Sequence, residues 1–386
     1  MISKKNLLTV VIIIIFISFI VLYNKIFKNN ETSGITQKKM EGETFCLYDQ
    51  QEKVFFIKPK EVVSVYGYNE DGKLIIYNQN LDYIVDYDKG SIKRTYNSRI
   101  PNYREHKVYY ENNGKFIFNS NPRNPELNIK YQIHVDYLYD IQPEEKENIA
   151  DESYLISDNL KDKILNKKGI NISVIGDSIA AGAQTTSQYY YGDGIKDSFS
   201  GYLKRSIETY YKCSVNIKLA AKGGTDRGFL LSNINNIIQQ KPDVAIVEFG
   251  MNDHVVTGSL NSDNINSFIQ DIEYSVIQFK ENNINVIIVG FFQQNTEWDC
   301  ENVDATIKYN NALKEISKRN GIYFADIYSL YNKVANVKNI YEDLTADYMH
   351  HPSDWGGKIY LTGIIPVFNV GGSIRPVDLQ DYIYIE

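Results

Sequence analysis

The stretch INISVIGDSIAAG, residues 170–182, decides the fold. It opens with an apolar run without polar alternation, which is typical of a strand buried on both faces. Asp177 and Ser178 follow directly, at the point where the chain has to turn. Four similar apolar runs follow along the chain: SVNIKLAA (214–221), PDVAIVEFG (242–250), INVIIVGFF (284–292) and IYFADI (322–327).

Stretches of helical length separate these runs, among them 225–241, 264–283 and 303–320. Alternation of strand and helix over five repeats predicts a parallel sheet with helices on both faces. Catalytic loops of such α/β folds lie at the carboxyl ends of the strands. The residues that follow each strand are therefore the candidates for chemistry.

Three of these positions carry residues suited to acyl transfer. Ser178 follows the first strand, at a predicted helix start where a backbone N–H can stabilise an anion. Gly223 and Gly224 follow the second strand, and Asn252 follows the third, where its amide can donate to an oxyanion. Taken singly, each has a simpler explanation: a serine helix cap, a glycine turn and an Asn-Asp turn.

The last candidate loop is DYMHHPSDWGG, residues 347–357. An acid shortly before a histidine can orient the imidazole ring while the ring takes the proton of a serine. The loop offers Asp347 with two histidines, His350 and His351, and Pro352 is predicted to start the last helix. Asp326, after the fifth strand, is predicted to be structural.

A nucleophile, two oxyanion donors and an acid–histidine pair complete the set of groups needed for acyl transfer. As an ordered set, IGDSIAAG (175–182), KGGT (222–225), GMND (250–253) and DYMHHPSDWG (347–356) resemble the four blocks of the SGNH (GDSL-type) hydrolases. The resemblance covers about residues 170–362. It implies a flavodoxin-like three-layer α/β/α fold and ester hydrolysis through an acyl-enzyme, without metal or cofactor.

The resemblance also implies a role for each matching residue. Ser178 would be the nucleophile and its own N–H an oxyanion donor, together with Asn252 and Gly224, or alternatively Gly223. Asp177 and Asp253 match positions that the family uses mainly to hold loops.

The catalytic histidine can be chosen in two ways. The family pattern D-x-x-H-P has the acid three residues before the histidine and the proline directly after it. Here the acid spacing selects His350, whereas the proline selects His351. We favour His351 because Pro352 would fix its position relative to the helix, and we expect His350 to contact the substrate or the catalytic pair. His254 is predicted to line the site, and His106 and His134 to be structural.

The N-terminus has a different character. An apolar run from Leu7 to Tyr23 is flanked by Lys4 and Lys5 before it and by Lys25 and Lys28 after it. We interpret residues 1–30 as an uncleaved membrane anchor with an extracellular body, and a cleaved signal peptide followed by secretion as the alternative.

The remaining chain divides by composition. Residues 31–43 are a polar linker, and 44–140 contain short apolar runs every 8 to 12 residues, which predicts a β-sandwich or jelly-roll-like domain. Residues 141–169 are charged and interpreted as a partly helical connector. The hydrolase domain follows at 170–362, and a C-terminal extension with strand character at 363–386.

Charge and cysteines exclude other classes. Without the four lysines of 1–30, the body holds 37 basic and 48 acidic side chains, which disfavours nucleic acid as a partner. The three cysteines, Cys46, Cys213 and Cys300, lack metal-ligand spacing. One disulfide or three buried thiols are both compatible with their number.

We therefore expect a membrane-anchored, extracytoplasmic serine esterase that removes O-acetyl groups from a carbohydrate polymer. A β-sandwich before an SGNH domain is similar to the arrangement in some carbohydrate acetylesterases. Trp298, in the loop 293–306, is a candidate platform for a sugar ring. The alternatives are a lipase or lysophospholipase of the same family, or a non-catalytic glycan-binding surface protein.

Overall fold

The structure is a computed structural model that describes residues 36–106, 109–112, 115–118, 127–141, 149–254, 262–296, 303–372 and 374. Residues Lys39–Tyr139 and Glu147–Glu386 form one compact unit. A second unit, Met1–Lys38 with Asp140–Lys146, lies mostly outside the described residues.

The strands are β1 Thr36–Cys46, β2 Lys53–Val54, β3 Glu61–Tyr68, β4 Leu74–Ile76, β5 Tyr83–Asp86, β6 Ser91–Arg94, β7 Tyr109–Asn112, β8 Lys115–Phe118, β9 Gln132–Ile141, β10 Ile170–Gly176, β11 Val215–Ala221, β12 Val244–Glu248, β13 Asn285–Val289 and β14 Tyr323–Ala325. The α-helices are α1 Asp158–Leu165, α2 Thr186–Tyr191, α3 Phe199–Tyr211, α4 Arg227–Gln240, α5 Ser262–Glu281, α6 Val303–Asn320, α7 Ile327–Ala335, α8 Ile340–Asp343 and α9 Asp354–Ile364. Short 3-10 helices are Tyr103–Glu105, Asn128–Lys130, Ser153–Leu155 and Ile365–Phe368.

The predicted parallel sheet is confirmed. Its five strands lie in the order β11-β10-β12-β13-β14, and each neighbouring pair is parallel. The order reverses between β10 and β12, so their carboxyl ends border the crevice in which α/β folds bind ligands. Register places Gly176 beside both Ala221 and Glu248. The loops that carry Ser178, Gly223 and Asn252 therefore leave the same edge of the sheet.

The sheet is buried on both faces, which explains its unbroken apolar runs. In β10 and β12, residues that point to opposite faces are equally inaccessible, such as Val174 with Ile175 and Ala245 with Ile246. Helix α6, Val303–Asn320, coincides with one of the stretches of helical length between the predicted strands.

The N-terminal region is β-rich, as predicted. Strands β1, β9, β3 and β4 form one sheet in the order β1-β9-β3-β4, and β2, β6 and β5 form another. The pairings β3–β4, β3–β9, β2–β6 and β5–β6 are antiparallel. Cys46 and Cys213 are buried free thiols, while Cys300 lies outside the described residues.

The predictions for the two ends of the chain concern residues that the structure describes only in part. None of the described helices is long and apolar enough to cross a membrane, and the predicted anchor, 1–30, lies outside them. The described part of the C-terminal extension packs on the hydrolase side and not as a strand in the N-terminal sheets. Val370 N–H donates to the Tyr211 hydroxyl at 2.8 Å, and Asn369 donates to the carbonyl of Ile149. A short 3-10 helix forms there because Pro366 cannot donate to a strand ladder.

Candidate active site

Ser178 lies in a series of turns between β10 and α2, and its side chain is only 6% exposed. The prediction that it stands at the start of a regular helix is wrong, because the first helix after β10 begins at Thr186. Gly182, at φ +65°, turns the chain back so tightly that a Cβ there would lie 2.0 Å from the carbonyl oxygen of Gly194. This close approach ends the helical turn that Ala181 begins by donating to the carbonyl of Asp177.

The glycine loop after β11 lies beside the serine. A Cβ on Gly223 would be 3.8 Å from the Cβ of Ser178, whereas a Cβ on Gly224 would meet nothing within 4 Å. Gly224 has φ +72°, so the loop needs a glycine at that position. The structure therefore places Gly223, the alternative to Gly224, nearest to the serine side chain.

The loop after β12 places Asn252 next to the serine loop. Its Nδ2 donates to Asp177 Oδ2 at 3.1 Å and to the carbonyl of Thr225 at 2.9 Å. The amide thus links all three loops at the carboxyl edge, and an acyl oxygen would have to share these amide hydrogens. Gly250 is required here, because a Cβ at its φ of +129° would lie 2.2 Å from the ring of Phe291.

Asp253 and His254 do not present a base to the serine. Asp253 Oδ1 accepts from the backbone N–H of Arg227 at 3.2 Å and from its guanidinium at 3.1 Å, which holds the start of α4. His254 is 4% exposed; its Nδ1 is 2.8 Å from the carbonyl of Gly250 and its Nε2 is 3.2 Å from Thr306 Oγ1. His254 is therefore buried in the loop and bonded at both ring nitrogens.

The acid–histidine pair is Asp347 with His351. His351 Nδ1 lies 2.6 Å from Asp347 Oδ2, whereas His350 Nδ1 lies 3.9 Å from that oxygen. Oδ1 of the fully buried carboxylate accepts the backbone N–H groups of Met349, His350 and His351 at 2.9 to 3.1 Å. One extra residue in the loop thus leaves the acid in contact with the second histidine.

Electrostatics separate the two histidines further. Burial lowers the pKa of His350 to about 3, and the neighbouring His351 lowers it too, so His350 is a neutral ring. Burial would also lower the pKa of His351, but the charge and hydrogen bond of Asp347 outweigh it and raise that pKa. Burial opposes ionisation of Asp347 as well, yet the two histidines and the loop hydrogen bonds hold its pKa well below the usual range.

Pro352 does not start the last helix. Ser353 is the N-cap, since its side chain accepts from the N–H of Gly356 at 3.2 Å, and α9 begins at Asp354. Pro352 instead forms an antiparallel bridge with Thr345. The helix begins after Ser353 and not at Pro352 because the serine oxygen accepts a helix N–H that would otherwise lack a partner.

Asn295, which the sequence did not single out, holds the histidine loop from the hydrolase side. Its N–H donates to the carbonyl of Met349 at 3.1 Å and its Nδ2 to that of Tyr348 at 2.9 Å. Tyr348 has φ +64°, a conformation that costs free energy and persists only when neighbours enforce it. Asn295 follows β13, so its place at the carboxyl end of a strand was the available signal.

The N-terminal β-rich region holds the same loop from the other side. Gln132 Nε2 donates to the carbonyl of Thr345 at 2.7 Å, and Asn128 Nδ2 donates to those of Tyr341 and Thr345 at 2.8 and 3.1 Å. Ala346 N–H in turn donates to the carbonyl of His351 at 2.8 Å. These contacts join positions more than 200 residues apart and leave no local mark in the sequence.

A buried carboxyl pair includes Asp177, the residue directly before the serine. Glu248 ends β12, is fully buried, and faces Asp177, whose Oδ1 caps the N–H of Ile179 at 2.8 Å. Burial raises the pKa of Asp177 to about 6 and that of Glu248 well above its usual range, the latter also because of the Asp177 charge. One proton therefore stays on this pair, on Glu248, at neutral pH.

In the part of the chain that the structure describes, one group of side chains has metal-ligand spacing: Asp347, His350 and His351, with one donor atom of each within 4.8 Å. Both oxygens of Asp347 already accept hydrogen bonds, Oδ1 from the backbone and Oδ2 from the ring of His351. The arrangement is thus that of a hydrogen-bonded carboxylate and imidazole.

The structure thus combines a parallel α/β sheet, a serine after its first strand and a hydrogen-bonded acid–histidine pair. Residues 174–359 match the GDSL-like Lipase/Acylhydrolase family. These residues form a GDSL-like lipase/acylhydrolase domain, and the predicted resemblance to the SGNH (GDSL-type) hydrolases is confirmed. Comparison of the sequence with curated proteins gave no match.

Solved structures similar to this chain include Axe2, an acetylxylan esterase from Geobacillus stearothermophilus. It is 17% identical, the match covers 53% of this chain and 94% of that chain, and the TM-score is 0.43. Another is LAE5, an alpha/beta hydrolase enzyme from the metagenome of Lake Arreo, Spain. It is 13% identical, with 52% and 96% of the two chains covered and a TM-score of 0.43.

Proposed function

We propose that the protein is a serine ester hydrolase in which Ser178 is the nucleophile, His351 the general base and Asp347 the acid that orients it. The observation that carries the proposal is the 2.6 Å contact between His351 Nδ1 and a carboxylate held by three backbone N–H groups. This contact keeps the proton on Nδ1, so Nε2 is the nitrogen that can accept the serine proton.

The mechanism follows from these roles. Ser178 Oγ attacks the acyl carbon while its proton passes to His351 Nε2, and the carbonyl oxygen becomes an oxyanion. Donors for that oxyanion would be the N–H of Ser178, the amide of Asn252 and the backbone of the loop at Gly223 and Gly224. His351 then protonates the leaving alcohol. Water, activated by the same histidine, cleaves the acyl-enzyme and restores Ser178.

We propose acetyl as the acyl group and a carbohydrate as the alcohol. Support for a short acyl chain comes from the 6% exposure of Ser178 and the adjacent Gly223. Support for a carbohydrate comes from the tyrosines of the β-rich region, whose aromatic faces are suited to stacking on sugar rings. A rise in kcat/KM with acyl-chain length would favour the lipase alternative instead.

The test combines labelling with hydrolysis. The full-length chain is treated with a fluorophosphonate, which forms a covalent adduct with an activated serine, and is assayed with p-nitrophenyl acetate. Ser178→Ala should abolish the adduct and His351→Ala should lose activity by about 10³-fold or more. His350→Ala, the matched control, should retain the adduct. Labelling of Ser178→Ala, or equal losses for both histidine variants, would contradict the proposal.

We also propose that residues 1–30 anchor the chain and that its body is extracytoplasmic, because the run from Leu7 to Tyr23 is long and apolar. Expressed with a C-terminal tag, the chain should remain in the membrane pellet after alkaline carbonate. The tag should be digested by protease added to intact cells. A soluble chain whose N-terminus begins after residue 23 would instead support the secreted alternative.

A further inference from the structure

A cavity lies outside the candidate active site. Its volume is about 230 Å³, and it is formed where strands β3 and β9 meet helices α3 and α9. This volume holds about seven waters, which suits a ligand of the size of one sugar ring. The cavity belongs to the compact unit that contains both the N-terminal sheets and the hydrolase domain.

His134 is the observation that indicates a ligand. The side chain lines the cavity and is 3% exposed, yet its buried Nε2 has no hydrogen-bond partner among the residues that the structure describes. Burial lowers its pKa to about 4, so the ring is neutral and offers one donor and one acceptor. A buried polar group without a partner costs free energy, which a bound hydroxyl group would recover.

Aromatic rings form one side of the cavity. Tyr66 stacks on His134 with ring centroids 5.1 Å apart and an interplanar angle of 10°, and Tyr68 meets the same ring edge-on at 5.7 Å. Tyr202 lines the cavity from α3. Such rings provide flat apolar surfaces next to polar groups, the combination that matches the C–H faces and hydroxyl groups of a sugar.

Donors and acceptors are mixed around these rings. Carboxyl groups outnumber the cations that line the cavity with them: Glu41, Asp136, Asp197 and Asp354 against Arg205 and Lys358. The cations lie near the Tyr202 ring, at 4.6 Å for Arg205 and 5.3 Å for Lys358. The excess of carboxyl groups disfavours an anion, and the two cations offset part of the attraction for a cation. Hydroxyl groups, which both donate and accept, suit this lining best.

The cavity is also connected to the candidate active site. Asp354 is three residues after His351, begins α9, and accepts the N–H of Thr186 at 2.8 Å. Thr186 begins α2, the first helix after Ser178. Asp354 therefore links the cavity to both segments that lead from the candidate catalytic loops.

We propose that this cavity binds one neutral sugar ring of the carbohydrate whose ester is cleaved at Ser178. The inference rests on the proposed function and deepens it, since it gives the N-terminal β region a role in holding the substrate. His134 and Asp197 bind hydroxyl groups, and Tyr68 and Tyr202 flank the ring.

The test measures binding to the full-length Ser178→Ala chain by titration calorimetry. The probes are xylotriose and cellotriose as neutral sugars, glucosamine trimer as a cation and trigalacturonate as an anion. A neutral trisaccharide should bind saturably, and His134→Phe and Asp197→Asn should each weaken it about tenfold. Asp193→Asn, in the same loop but exposed, is the matched control and should bind as the parent does. Melting temperatures check that each variant is folded.

The inference is overturned if only the cationic probe binds, if only the anionic probe binds, or if no probe binds. It is also overturned if His134→Phe and Asp197→Asn bind the neutral sugar as tightly as the parent chain does. The two proposals fail separately. If the chain binds a neutral sugar but forms no fluorophosphonate adduct, the sugar-binding proposal holds and the esterase proposal fails. If the chain hydrolyses p-nitrophenyl acetate but binds no sugar, the esterase proposal holds and the sugar-binding proposal fails.

Discussion

Replacing Asp347 with Asn isolates the role of the acid, because the substitution keeps its shape. Oδ1 accepts three loop N–H groups, and the amide oxygen of Asn can keep all of them. Only the contact of Oδ2 with His351 Nδ1 changes, since an amide NH₂ now faces that nitrogen. The ring must then carry its proton on Nε2, where it cannot accept the proton of Ser178.

We therefore expect Asp347→Asn to lower kcat for p-nitrophenyl acetate by about 10⁴-fold, which is about 5.5 kcal/mol of activation free energy. The free energy of unfolding should fall by only about 1.5–3 kcal/mol, for one hydrogen bond to a charged group. Asp326→Asn is the matched control, because Asp326 caps α7 through Ser329 N–H and Asn caps equally well. If Asp347→Asn retained a tenth of the wild-type kcat, or Asp326→Asn lost as much activity, the assignment of the acid would be refuted.

Three further predictions concern buried charge. Lys338→Met should lower the free energy of unfolding, measured in urea titrations, by about 3–5 kcal/mol. The reason is that Glu43, which is 0% exposed and lies 2.5 Å from Lys338, loses its cation. Adding Glu43→Gln should restore most of the lost free energy. As pH is lowered, kcat/KM should fall with a midpoint above pH 6.5, because the raised pKa of His351 keeps the ring protonated to higher pH. A midpoint below pH 6 would contradict this prediction. The same shift stabilises the fold below pH 6.5, and that stabilisation is lost as pH rises through the folded pKa. Glu248→Gln should raise the urea midpoint of unfolding at pH 8 but not at pH 4. The raised pKa of Glu248 makes the wild type lose stability as pH increases, and Gln has no proton to lose. Equal midpoints of the variant and the wild type at pH 8 would be evidence against a buried proton.

The sequence predicts the parallel sheet well because strands buried on both faces need unbroken apolar runs. It also predicts which residues follow each strand, and this places Ser178, Asn252 and the glycine loop at one edge. Position within a loop is harder to predict. The bounds of α9 depend on competition between Pro352 and Ser353 for the cap, and the hydrogen bond from Gly356 decides it. Ser178 lies in turns because of an approach between Gly182 and Gly194 that no periodicity encodes.

The supporting residues of the histidine loop could not be predicted for a different physical reason. Gln132 and Asn128 donate to carbonyl groups more than 200 residues away in the sequence, and no local pattern marks them for that role. His134 reads as an ordinary strand residue until its neighbours are known. Choosing between His350 and His351 likewise required the position of the Asp347 carboxylate, since spacing favoured one and proline the other.

The contacts of residues 341–346 change how the two predicted domains, 44–140 and 170–362, relate to catalysis. Lys53 of the β region pairs with Glu342 and Asp343 at 2.7 and 2.8 Å, and Gln132 bonds to Thr345, two residues before Asp347. Separating the domains would remove Lys53 from these acids and Gln132 from the carbonyl of Thr345, beside a loop that already holds Tyr348 in a costly conformation. Because the acid–histidine geometry depends on that loop, the β region contributes to the free energy that keeps His351 in place. The two regions therefore act as one structural unit around the catalytic loop, joined by polar contacts on both sides of it.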